Sequence, residues 1–515
     1  MKTEIRIAAA LAALCLIMSG CGIIKINERS AETSAGGSDA VSSVPDHTAA
    51  DDTAPALTGD SAAAPKGTES GKKPAAVSQP DRLAKAKSYL ESLPKRDMQG
   101  VAVSITGSDI TPFAVGDSEE HSLIDAARLE RDSMVCEYYN TKILVSEATA
   151  QSVLDDVAAA VKADDFYADL LAIPVTWLGY FRAAGLLLNL ESLPFTDYSQ
   201  PYFDQKAMLQ SAGGYGVYAA VGEYIYDPGY MYCMYVNFRL VEELGLDDPV
   251  ELVNKGYWSW EKLREYAKAA AASEGVDGHA GPEGMSVDAY IDLLFASSGE
   301  HMVSTGKEVI PTLKEPSLRL KRMVSALKSY IYDDGSYAGV KNSGIQNFYG
   351  GGVLFLTETV SRAEWLADMA DDWCILPMPR LDGRGDWYTP VSPSAPVLCV
   401  PKNCANLDNA GLFLQAANAA SYGYINDVFY EHLTRNAIRN SDTLNMLDYV
   451  TCVNSGCFRY YDFSVMYGGQ YDWLQAAAVD SVRKAVKGSS DLDSVYAASV
   501  KNVNNRLAAA FNMPW

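Results

Sequence analysis

The stretch ADLLAIPVTWLGYFRAAGLLLNLESL, residues 168–193, decides how the rest of the chain is read. It opens with a short apolar run, Leu170–Pro174, closed on one side by Asp169 and on the other by its own proline. That length and those boundaries suit a buried strand. Val175, Thr176 and Trp177 form a loop, and residues 178–188 form an apolar helix containing Gly179 and Gly185. A strand feeding a helix through a tight loop is half of a β-α-β unit. In sheets built from such units, ligands bind outside the carboxyl ends of the strands. Trp177 sits where a ligand would be met.

Working outward, the same alternation recurs. Residues 81–93 read as a helix, 101–106 (VAVSIT) as a strand, and Ser108 and Asp109 as part of the loop after it. A helix over 122–139, a strand over 142–145 and a helix over 148–162 follow. Strands and helices in alternation argue for a parallel, doubly wound sheet. Downstream, strands are expected at 215–220, 230–237, 353–358 and 394–401. Helices are expected from about Trp260 and over 285–297, 315–333, 361–369 and 409–420, with a mostly helical remainder.

At 515 residues, with 48% hydrophobic content, two domains with substantial cores are expected. The formal net charge of −23 removes any electrostatic attraction for nucleic acid or an anionic lipid face. The amino terminus is basic at Lys2 and Arg6, apolar over 7–18, and ends in Met18-Ser19-Gly20-Cys21. The apolar run is too short to span a bilayer. Residues 26–80 are rich in Ala, Ser, Thr, Gly, Asp and Pro and lack aromatic residues, so they cannot bury enough apolar surface to offset their ordering entropy. Seven cysteines follow Cys21, an odd number. Cys399/Cys404 and Cys452/Cys457 are spaced for local disulfides, and buried thiols are the alternative.

No HExxH, GxSxG, Walker A or GxGxxG occurs, and the five histidines are scattered without ligand spacing. No catalytic, metal or cofactor site is therefore assigned. Aromatic residues are the positive feature: 31 Tyr and 8 Trp. Sugar rings stack their C–H faces on such side chains, while carboxylates and amides bond the hydroxyls. Trp258, Trp260 and Trp373 read as core, whereas Trp177 and Trp473 suit either core or ligand contact.

The chain resembles the family 1 extracellular solute-binding proteins, the maltose-binding-like lipoproteins of carbohydrate ABC importers. Residues 168–193 resemble the family's third β-α unit. Asn140-Thr141-Lys142-Ile143 fits its YN-x-K-I segment, and MYVNFRLVEELGL fits YN-x-x-L-x-x-x-x-GL. GYWSWEKLREYAKAA is similar to the family's P-x-T-W-x-E-L segment, and Gly351, Gly352, Leu376, Pro377 and Pro379 echo its F-x-x-G and G-x-x-P-x-P units. Met18–Cys21 resembles a bacterial lipobox. Where the family has Gly-Trp, this chain has residues 357–362.

The resemblance implies an α/β, type 2 periplasmic-binding-protein fold: two doubly wound lobes with a hinge and a ligand cleft. Residues 1–21 would be a lipoprotein signal and 22–80 a tether. The N-terminal lobe would hold 81–220 and 377–408, and the C-terminal lobe 221–376 and 409–515. The protein would be a monomer, held on the extracytoplasmic face of the cell membrane through a lipid on Cys21 alone. It would not be an enzyme and would use no cofactor. It would bind a small molecule, an oligosaccharide, and deliver it to ABC permease subunits. The implied ligand residues are Ser108, Asp109, Glu147, Thr176 and Trp177 from one lobe, and Tyr290, Glu358, Tyr471 and Trp473 from the other. A peptide or another polyol would suit the same side chains. A lipid-anchored glycoside hydrolase working with two carboxylates, or a surface scaffold without a small ligand, are the alternatives.

Overall fold

A computed structural model describes residues 24–26, 79–110, 112–113, 122–282, 284–335, 337, 344–383 and 385–512. Cys21, the signal segment and nearly all of the stretch read as tether lie outside them. Ile24–Ile26 of that stretch is a short strand, β1.

The first sheet has the order β1-β3-β2-β4-β12. Its centre is β2, Ala102–Gly107, flanked by β3, Lys142–Glu147, and β4, Leu170–Pro174, all parallel. Four of the five residues of β4 are buried, as its unbroken apolar run requires of a strand covered on both faces. β12, Pro396–Cys399, returns to this sheet from far along the chain and pairs antiparallel with β4. The covering helices are capped as their sequences suggest. Ser122 accepts from the Asp125 amide ahead of Leu123–Tyr139, and Thr149 accepts from the Ser152 amide ahead of Ala150–Ala163.

The second sheet has the order β10-β5-β9-β6. It comprises β5, Tyr232–Asn237; β6, Asp277–Ala280; β9, Val353–Thr359; and β10, Trp373–Leu376. Only β6 and β9 run parallel, and β5 is antiparallel to both its neighbours. Two small sheets complete the molecule. β7, Val303–Ser304, pairs with β8, Thr312–Leu313, and β11, Trp387–Pro390, pairs in parallel with β13, Cys457–Tyr460.

The differences from the sequence reading have local causes. The helix expected over 178–188 is only Leu178–Ala183, because Gly185 turns into the left-handed region at φ 67° and ends it. Residues 215–220 make a single bridge, Ala220 to Leu398, and no strand. The seven cysteines after Cys21 are free thiols, five of them buried, so neither local disulfide forms.

The expected lobe boundary at 408/409 also needs correction. That boundary puts the helix expected over 409–420, which folds as Leu407–Ser421, in the second lobe. It packs instead on helices Gln79–Glu91 and Leu123–Tyr139 of the first sheet. Twelve of its residues are buried, so it needs cover on most of its circumference. A Cβ on Gly411 would lie 1.8 Å from the Pro194 carbonyl oxygen, and Gln415 accepts from the Asp197 amide at 2.9 Å. The last helices bridge the two halves. Phe463–Gly468 packs on residues 175–183, and Val479–Val486 packs on Val287–Ala296 and Leu318–Lys328.

Candidate functional site

The parallel part of the first sheet reads β1-β3-β2-β4; from β2 the chain steps to β3 on one side and then to β4 on the other, so its winding direction reverses at β2. The crevice at such a reversal, beyond the strands' carboxyl ends, is where open α/β sheets receive ligands. Here β2 and β4 run unusually close. A Cβ on Gly107 would meet the Ala172 carbonyl oxygen at 2.3 Å, and the Ser108 amide donates to that oxygen at 3.1 Å. The buried Ser108 hydroxyl has no partner among the described residues. Next to it, Asp109 accepts a hydrogen bond from the Tyr230 hydroxyl.

Tyr230 ends the one-turn helix Pro228–Tyr230 that leads into β5, so this bond joins the end of β2 to the start of the second sheet. A later segment ties the two more firmly. The Tyr230 carbonyl accepts from the Ser392 amide at 2.8 Å, and the Ala395 carbonyl accepts from the Val175 amide at 3.0 Å. Thr176 donates its hydroxyl to the Pro393 carbonyl at 3.4 Å. Ser108, Asp109 and Thr176 are thus drawn together around one junction between the sheets.

Trp177 is half-buried beside that junction, its ring 5.2 Å from Tyr180. The late segment meets it there. A Cβ on Gly179 would lie 2.8 Å from the Tyr467 Cα, and one on Gly469 would lie 2.8 Å from the Tyr180 hydroxyl. Just beyond, Tyr471 and Trp473 are also half-buried, their rings 5.5 Å apart, with the Arg506 guanidinium 4.4 Å from the Trp473 ring. Asp462 closes the junction from this side. One of its oxygens accepts from the Val465 amide at 2.9 Å, and the other has no partner among the described residues. Burial pushes its pKa well above the usual carboxylate range.

Three expected site residues are placed differently. Tyr290 is fully buried, stacked on Tyr337 at 4.6 Å, with its hydroxyl 2.9 Å from His279 Nε2. His279 is buried too, bonded to Tyr330 and, at 2.8 Å, to Thr357, and burial lowers its pKa to about 3. Tyr290 is therefore core, because helix Val287–Ala296 buries eight of its ten residues. Glu358 stands near the end of β9 but is buried. Its carboxylate accepts from the Thr359 amide at 3.0 Å and lies 3.8 Å from Arg362. Glu147 is exposed at the end of β3, which lies on the far side of β2 from the crevice.

Sequence reasoning missed Tyr230, Tyr180, Pro393 and Asp462. The one available signal was Tyr230 in GYMYCMYVN, an aromatic residue immediately ahead of a strand.

Trp258, Trp260 and Trp373 are core. Their ring N–H groups donate to the Pro377 carbonyl, Ser297 Oγ and the Leu366 carbonyl at 2.9–3.0 Å. Among the described residues, no three His, Cys, Asp or Glu side chains come together to hold a metal. None of their helices is long and apolar enough to cross a membrane. A cavity of about 490 Å³ lies away from this junction and contains none of the nine expected ligand residues.

No protein-family model and no curated protein matches this chain. Solved structures do match it. The cyclic alpha-maltosyl-1,6-maltose binding protein from Arthrobacter globiformis aligns at 15% identity and TM-score 0.53, over 80% of this chain and 100% of its own. The galacto-N-biose/lacto-N-biose I-binding protein of an ABC transporter from Bifidobacterium longum, in complex with lacto-N-biose, aligns at 12% identity and TM-score 0.51. That match covers 80% of this chain and 98% of its own. With two α/β halves joined through repeated crossings and matched over nearly the full length of these proteins, the described chain has the type 2 periplasmic-binding-protein fold.

Proposed function

We propose that this chain is a maltose-binding-like solute-binding protein, which captures an oligosaccharide outside the cytoplasm and delivers it to the permease subunits of an ABC importer. The observation that carries the reading is the junction between the sheets. At the winding reversal of the first sheet, Asp109 bonds Tyr230 and Thr176 bonds the Pro393 carbonyl, with Ser108 and the half-buried Trp177 next to them in sequence; Tyr471 and Trp473 are the further rings we would assign to the ligand. Half-buried aromatic rings beside hydrogen-bonding groups are what a sugar requires. The proteins of like fold named above bind sugars, in keeping with this. Two lobes built on the two sheets would close over the ligand by bending at the crossings.

Binding without turnover separates this reading from a hydrolase, and a ligand-dependent rise in melting temperature separates it from a scaffold. The direct test is a thermal-shift screen over oligosaccharides and peptides, followed by calorimetric titration of the best ligand. A screen with no shift for any sugar, or hydrolysis of the sugar that binds, would overturn the proposal.

The anchor is proposed from Met18–Cys21, which lies outside the described residues. Cys21→Ala should move the protein from the membrane to the soluble fraction. Unchanged membrane association of that variant would remove the lipid from the proposal.

A further inference from the structure

The 490 Å³ cavity lies among residues 203–206, Glu223 and Tyr226 of the first crossing, the turn from Tyr422 to Asp427, and β13. Its volume falls in the range of small-molecule sites, roughly 300–1,000 Å³. The wall combines aromatic faces with charge. Arg459 lines it, 3.2 Å from Asp204 and 3.6 Å from Glu223, with its guanidinium 3.8 Å from the Tyr226 ring centroid. These two carboxylates satisfy the Arg459 charge, yet its Nε has no partner among the described residues. Asp427, on the rim, is paired with Arg82 at 3.3 Å.

The lining also carries two lysines, alongside the carboxylates of Asp204, Glu223, Asp427 and Asp448. Lys206 Nζ stands 3.4 Å from the Phe458 ring centroid and Lys85 Nζ 5.1 Å from that of Tyr422. Among the described residues neither lysine is ion-paired. Burial lowers the Lys206 pKa, against the opposing pull of the Asp386 and Asp204 carboxylates, neither of which is close enough to form an ion pair with it. One acceptor is also unanswered. Asn426 is only 8% exposed, lines the cavity, and its Oδ1 has no partner. A buried polar atom left this way costs free energy until something donates to it.

We infer that this cavity is a second ligand site, independent of the sheet junction, and that it binds a small hydroxylated organic anion of the sugar-acid class. The acid group would lie between Lys85 and Lys206, the ring on the aromatic wall, and a hydroxyl would donate to Asn426 Oδ1. A neutral sugar would leave both ammoniums unanswered. A bare anion would leave the aromatic wall and Asn426 unanswered. With a formal net charge of −23, the chain repels anions at long range, so recognition depends on these local cations.

The test is calorimetric titration of the full chain with galacturonate, galactose and inorganic phosphate as probes. Galacturonate is expected to bind one to one, at least tenfold more tightly than either of the others. Lys206→Met and, separately, Lys85→Met should each weaken it at least tenfold without changing the melting temperature of the unliganded protein. Trp177→Ala should leave it unchanged. Galacturonate binding that persists when no neutral oligosaccharide binds anywhere would sustain this site while removing the proposal for the junction. The inference fails if galacturonate does not bind, or if galactose or phosphate binds as well. It also fails if both folded lysine variants keep full affinity, or if Trp177→Ala abolishes the binding and they do not.

Discussion

Two aromatic clusters of this molecule differ in how far their rings are covered. Around His279, the rings of Tyr290, Tyr330 and Tyr337 are buried, and the two His279 ring nitrogens share hydrogen bonds with the hydroxyls of Tyr290, Tyr330 and Thr357. At the sheet junction, Trp177, Tyr471 and Trp473 are half-buried and touch other rings only at their edges or at an angle. The difference is in how much ring surface is still open. A cluster whose rings are covered contributes to stability and has little face left to offer a ligand, although the Tyr337 hydroxyl has no partner among the described residues. A cluster with ring faces still open has surface that a ligand can cover.

The largest expected effect tests the closed cluster. Tyr290→Ala should cost roughly 3–5 kcal/mol of stability, because the helix around it cannot collapse into the space. Its check is denaturant unfolding. A loss of under 1 kcal/mol would return Tyr290 to the list of ligand candidates.

The second effect comes from His279. Its folded pKa, about 3, is below the ordinary value of 6.5. Below pH 6.5 the unfolded chain takes up a proton that the folded chain refuses. Stability is therefore complete above about pH 6.5 and falls by about 1.4 kcal/mol per pH unit on acidification, until the folded pKa is reached. Unfolding measured between pH 7 and pH 4 should show this slope, and His279→Gln should flatten it. Equal slopes in both proteins would mean that another group sets the acid limit.

The open cluster is expected to behave in the opposite way. Trp177→Ala should weaken oligosaccharide binding by about ten- to a hundredfold, equivalent to ~1–3 kcal/mol of stacking and burial, with little change in melting temperature. A large stability loss with intact affinity would place Trp177 with Tyr290.

The smallest effect concerns the link between the halves. Asp109→Asn keeps the shape and weakens the bond from Tyr230, a change of about 0.5–1.5 kcal/mol. It should appear as a lowered melting temperature of the unliganded protein. An unchanged value would show that the Ser392 and Ala395 backbone bonds hold the junction alone.

Much of the first sheet was legible. Leu170–Pro174 was recognisable from five residues, because a strand covered on both faces must be apolar throughout and must stop at its proline. The helices expected over 122–139 and 148–162 were legible from their local pattern too, and fold as Leu123–Tyr139 and Ala150–Ala163. The short strands β11 and β13 were not, since they pair with each other across some seventy residues and four residues carry no period of their own.

Of the nine expected ligand residues, those directly after β2 and β4 could be placed, because strand order puts both strand ends at one crevice. Tyr290 and Glu358 read as polar side chains at suitable positions, yet burial at those positions is decided by what packs over them.

The sequence by itself therefore determined the strand–helix alternation of the first sheet, which follows from local periodicity, and the stock of aromatic residues. Tertiary structure alone decided which rings were used up in the core. It also returned helix Leu407–Ser421 to the first sheet and closed a cavity around Arg459 at the first crossing. These depend on contacts between residues tens to hundreds of positions apart, and no local pattern encodes which distant partner will satisfy a given polar group.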